Sequence, residues 1–109
     1  MNSLAAVSYD FTCADLSLDV SRRQAVCGSK ALVLRVTPFR LLTLLTANAG
    51  EVVSRESIFE NVWGYDFDPG TKRIEVHLNY LRRHLAMLGC AVKIRTFRGE
   101  GVCLYQVRR

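Results

Sequence analysis

The hydrophobic spacing of this chain changes period twice. Between Leu16 and Cys27 apolar and polar side chains largely alternate; between Phe39 and Leu88 apolar residues recur every three or four positions; from Val92 the alternation returns. Alternation places successive side chains on opposite faces of a strand, whereas three-to-four spacing draws one stripe along a helix. Strands, then helices, then strands must share 109 residues, a length that holds one core and not two. A single α+β domain over residues 1–109 follows.

Short runs place the elements. Tyr9-Asp10-Phe11 reads as an edge strand, Leu16 to Val20 as a half-buried one, and Gln24 to Cys27 as a third. Gly28-Ser29-Lys30 supplies a turn and Ala31 to Leu34 a fourth strand, together an antiparallel meander. Thr37-Pro38 suits an N-cap with Pro at the first helical position, and Phe39, Leu41, Leu42, Leu44 and Leu45 form the stripe that follows. Ser54 caps a second helix with Ile58, Phe59, Val62 and Trp63 on its apolar side, and Glu56 favours its first turn. Gly64 to Gly70, with a Pro and two Asp, is a loop. A third helix runs from Thr71 to about Leu88. Val92 to Phe97 and Val102 to Tyr105, joined by Arg98-Gly99-Glu100-Gly101, form a β-hairpin.

Charge is distributed unevenly over these elements. Residues 1–71 carry 6 basic and 8 acidic side chains, whereas residues 72–109 carry 9 basic and 2 acidic. A basic third on a neutral-to-acidic scaffold points to a polyanion partner. On a helical wheel, Ile74, Leu78, Leu81, Leu85 and Leu88 share one face of the third helix. Lys72, Arg73, Val76, Asn79, Tyr80 and Arg83 lie opposite, with His77 and Arg82 on the flanks. That is a set of donors for phosphates and base edges, with Val76 an apolar contact for a thymine methyl. Lys93, Arg95 and Arg98 make the hairpin basic, and an Arg beside glycines at a hairpin tip can enter a minor groove. Separately, each surface is also what an ordinary solvated face looks like.

Other classes are excluded or find no support. No apolar run approaches ~18 residues, so no membrane span is expected. Met1 to Val7 lacks the basic and apolar regions of a signal peptide. Cys13, Cys27, Cys90 and Cys103 contain no C-x-x-C pair, so free thiols in a reducing cytoplasm are expected, with no metal site and no cofactor. No nucleophile elbow, phosphate loop or acid–base pair suggests an enzyme. The aromatic, acidic loop after Trp63 either meets a protein partner or uses Trp63 and Phe67 to plug the core.

Three ordered segments resemble one family. Ser54-Arg55-Glu56-Ser57-Ile58-Phe59-Glu60-Asn61-Val62-Trp63-Gly64 is similar to the "SRE-x-L-x-x-x-VWG" segment of OmpR/PhoB-type response-regulator effector domains. Arg73-Ile74-Glu75-Val76-His77-Leu78-Asn79-Tyr80-Leu81-Arg82-Arg83 resembles their recognition helix, and Ile94 to Gly101 their wing. The resemblance implies a winged helix-turn-helix: an N-terminal antiparallel four-stranded sheet, three helices and a C-terminal β-hairpin wing. It implies sequence-specific binding of double-stranded DNA in the bacterial cytoplasm for transcription regulation, with helix 71–88 in the major groove. The implied DNA contacts are Lys72, Arg73, Val76, His77, Asn79, Tyr80, Arg82, Arg83, Thr96 and Arg98. The loop Gly64, Tyr65, Asp66, Phe67, Asp68, Pro69, Gly70 matches the segment that meets RNA polymerase, and head-to-tail dimers on direct repeats are implied. The alternative is a protein-interaction module or a stand-alone regulator with weak DNA specificity.

Departures from the family pattern carry their own expectations. Arg35 stands where a capping Thr is usual and Pro38 where a Glu is usual, so the first helix is expected to start two residues late. Val102 replaces a Tyr under the hairpin, and Asn79 and Tyr80 replace residues that are often basic, implying an altered base preference. A receiver domain of ~120 residues does not fit within this length.

Overall fold

A computed structural model describes residues 9–108; the Met1 to Val7 reading falls outside them. Four short strands come first: β1 (Phe11–Cys13), β2 (Leu16–Asp19), β3 (Gln24–Cys27) and β4 (Lys30–Val33), antiparallel in that order. Helix α1 (Val36–Ala47) follows, then β5 (Val53–Ser54), α2 (Arg55–Ile58) continuing into a π-helical stretch (Phe59–Trp63), and α3 (Arg73–Leu88). Strands β6 (Val92–Phe97) and β7 (Gly101–Gln106) close the chain, and the second sheet has the order β5-β7-β6. This is an α+β winged helix.

Local chemistry moves several boundaries. The first strand was expected at Tyr9-Asp10-Phe11 but starts at Phe11; Asp10 lies in a bend, donating its N–H to the Leu18 carbonyl at 3.0 Å and accepting the Val20 N–H on its carboxylate at 2.8 Å. Val20 is accordingly outside β2. Lys30 pairs with Cys27, so the connection shrinks to Gly28-Ser29, with Gly28 at the positive φ that such a turn requires. The expected late start of α1 is not observed. Arg35 is its N-cap without a side-chain cap bond, and the helix begins at Val36, ahead of Thr37. Pro38 is tolerated there because first-turn N–H groups have no partner inside a helix. The Arg35 N–H is instead satisfied by the Tyr80 hydroxyl at 3.0 Å.

Strand β5 has no alternating pattern to announce it, being two residues long. It exists because β7 reaches it: Val53 pairs with Val102 and Ser54 with Gly101. A Cβ on Gly101 would press on the Val53 carbonyl oxygen, with the carbonyl carbon 2.7 Å away and Ser54 Cα 2.9 Å away. Glycine is therefore required by close backbone approach.

One core joins both sheets to the helices. Leu16 and Leu18 of β2, Leu41, Leu42 and Leu45 of α1, Ile58, Phe59, and Leu104 of β7 are all inaccessible to solvent. Ile74, Leu78, Leu81, Leu85 and Leu88, the face drawn on the wheel, are all buried. At ~1.5–3 kcal/mol for each fully buried side chain, this stripe dominates what fixes α3 in place. Gly89 in the left-handed conformation ends α3, its N–H reaching the Leu85 and Ala86 carbonyls.

Candidate nucleic-acid interface

Burying one stripe of α3 obliges the opposite side to face solvent. Lys72, Val76, Asn79 and Arg83 form that side, three and four residues apart, and all are exposed. Val76, 63% exposed, is the apolar member of this row. Arg98 is exposed in the turn between β6 and β7, where Phe97 pairs with Gly101 and the Glu100 N–H donates to the Phe97 carbonyl at 2.8 Å.

The remaining candidates are held by protein contacts. Arg73 sits over the rings of Trp63 and Tyr65, at 5.5 and 5.6 Å, and donates to the Tyr65 hydroxyl at 3.0 Å. His77 lies tilted against Trp63 at 5.6 Å, and burial together with the Arg73 charge lowers its pKa, favouring the neutral ring. Tyr80 is half-buried: its ring lies 3.9 Å from that of His84, and its hydroxyl holds the start of α1. Arg82 donates to the Ile94 carbonyl at 3.3 Å and to the Thr96 hydroxyl at 3.2 Å. Two residues expected at DNA thus bond each other and couple α3 to β6.

The sequence assigns Arg55 no role, yet it organises the loop. Its guanidinium donates to Asp68 at 2.9 Å, Glu75 at 2.7 Å and the Thr71 carbonyl at 3.0 Å. Its partners come from the loop, the approach to α3 and α3 itself, so local spacing could not reveal them. The bond from Arg55, with that from the Gly70 N–H, holds the Asp68 carboxyl below its usual pKa. Glu75, an acidic residue in the first turn of α3, thus ties that end of the helix to Arg55.

Trp63 does pack onto the core, tilted against Phe59 at 5.2 Å. Phe67 does not: it stacks on Tyr65 at 5.7 Å and stays 57% exposed. Asp66 is exposed beside it. Among the described residues no helix is long and apolar enough to cross a membrane.

Comparison with known proteins agrees with this geometry. Residues 29–104 match the family described as "Transcriptional regulatory protein, C terminal". Response regulator MprA of Mycobacterium ulcerans is 41% identical over 100 residues, which are 92% of this chain and 43% of that protein. The chain thus spans less than half the length of that curated relative. The DNA binding domain of CpxR from E. coli superposes with a TM-score of 0.72 at 29% identity, covering 90% of this chain and 98% of that one. The Klebsiella pneumoniae RstA DNA-binding domain, solved in complex with the RstA box, matches in fold with a TM-score of 0.72 at 24% identity, over 91% and 95% of the two chains. Fold, motifs and relatives converge: the chain belongs to the family of transcriptional regulatory protein C-terminal domains, the OmpR/PhoB-type winged helix-turn-helix.

Proposed function

We propose that this domain is the output module of a two-component response regulator and binds double-stranded DNA in a sequence-specific manner. The observation that carries the reading is the exposed stripe Lys72, Val76, Asn79, Arg83, backed by the buried leucine face and flanked by the wing tip at Arg98. A helix seated this way presents donors and one apolar contact to the major groove. Arg98 then reaches the minor groove or its phosphates. Lys72, Arg83 and Arg98 supply the salt-dependent affinity; Asn79 and Val76 supply base discrimination. Arg73, His77, Tyr80, Arg82 and Thr96 border the same surface, and their protein contacts set the orientation of the helix against the wing.

The exposed Phe67 and Asp66, on the loop that Arg55 fastens, suit a contact with RNA polymerase. Head-to-tail dimers on direct repeats are part of the same reading, as is action in the cytoplasm. Selection from a random duplex pool at physiological salt tests it. Enrichment of one motif, repeated in the same orientation, is expected. Recovery of no motif would overturn sequence-specific binding and favour a protein-interaction module.

A further inference from the structure

The fold brings together three potential ligands that are far apart in sequence. Asp15 lies in the turn between β1 and β2, Cys27 ends β3, and Cys90 follows Gly89 beyond α3. One ligand atom from each lies within 4.8 Å of the other two. Cys27 is 7% exposed and hydrogen-bonded to Cys90, which is half-buried. Cys90 also lines a surface cleft of about 410 Å³ with Leu85, Ala86, Val92 and Lys93. The Asp15 carboxylate is already oriented, accepting the Ala91 N–H at 2.9 Å.

Metal–ligand dimensions match this cluster. A tetrahedral ion with metal–sulfur bonds of ~2.3 Å holds its sulfurs roughly 3.8 Å apart, so closure requires movements of only about 1 Å. We propose that Asp15, Cys27 and Cys90 form a site for a thiophilic divalent cation such as Zn²⁺, with two thiolates and one carboxylate as ligands. The fourth position is open to water. Binding releases two thiol protons per ion as two metal–sulfur bonds form. Because Cys90 directly follows the cap of α3, the ion ties the end of the DNA-reading helix to the N-terminal sheet. The site stands whether or not that helix reads DNA.

Titration of the fully reduced chain with Co²⁺, followed by displacement with Zn²⁺, provides the test. A thiolate-to-cobalt charge-transfer band saturating at one equivalent is expected, together with a higher melting temperature in Zn²⁺. Cys27→Ser and Cys90→Ser should each remove about half of the band, since one of two thiolates is lost. Asp15→Asn, on an exposed turn, should retain the band but bind about tenfold more weakly or worse. Cys13→Ser and Cys103→Ser should bind as the parent does. A band of equal strength in Cys27→Ser, unchanged affinity in Asp15→Asn, or a melting temperature indifferent to Zn²⁺ would each overturn the site.

Discussion

Both glycines at the wing have positive φ, 79° at Gly99 and 157° at Gly101, but only Gly101 also lies against neighbouring backbone, and replacing each with alanine exposes the effect of that contact. Gly99 has φ 79° and open space where a Cβ would go, so Gly99→Ala incurs only the left-handed penalty of about 1–2 kcal/mol. Gly101→Ala, besides the strain of its own positive φ, drives a methyl into the Val53 backbone, which cannot rotate away as a side chain can. Overpacking of that kind costs about 1–3 kcal/mol. Prising β5 from β7 also sacrifices a two-residue pairing, at about 0.5–1.5 kcal/mol per hydrogen bond. Together these give about 2–6 kcal/mol, a large part of the ~5–15 kcal/mol that stabilises a typical domain. Urea unfolding followed by far-ultraviolet circular dichroism at 25 °C measures both variants. Near this size each kcal/mol shifts the melting temperature by roughly 4 °C, so a thermal scan gives a second readout. Gly101→Ala melting no lower than Gly99→Ala would refute the claim that the wing is anchored through this contact.

Further outcomes follow from the interface and the Arg55 clasp. Arg98→Ala should weaken binding to all duplexes alike and reduce the slope of log K against log salt by about 0.9, as expected for one lost phosphate contact; a salt titration by fluorescence anisotropy checks this. Asn79→Ala should instead change which sequences are enriched from a random pool, and a uniform loss would show that Asn79 reads no base. Arg55→Met should lower the melting temperature by leaving the half-buried Glu75 without its cation, and adding Glu75→Gln should recover part of the loss; no recovery would mean that the Arg55–Glu75 pair is not the operative contact. His77 should titrate below pH 6.5 in an NMR experiment. Its folded pKa is lower than its unfolded one, so this contribution to stability is fully present above about pH 6.5 and is lost as pH falls through the folded value. His77→Gln should flatten that part of the stability profile.

The buried stripe of α3, the Ser54 cap and the wing hairpin were all legible in the sequence. Each follows from periodicity or from one side chain acting on its own backbone; the Ser54 hydroxyl, for example, accepts the Ser57 N–H at 3.1 Å. The motifs carried the family as well, because they sit in the order and spacing that one helix-turn-helix and wing require. What could not be read locally was anything whose partner lies elsewhere in the chain. Arg35 caps α1 without a suitable side chain because Tyr80, on a distant helix, takes up its N–H. Arg55 became an anchor only when the loop folded back on it, and Val53-Ser54 became a strand only when β7 arrived. Asp15, Cys27 and Cys90 have no motif spacing, and their proximity is created by packing the end of α3 against the first sheet. Sequence period sets which face of an element is apolar, since that depends on neighbours three or four residues away. Tertiary packing alone decides which distant polar groups must satisfy one another, since a buried or half-buried donor takes whatever acceptor the fold places beside it.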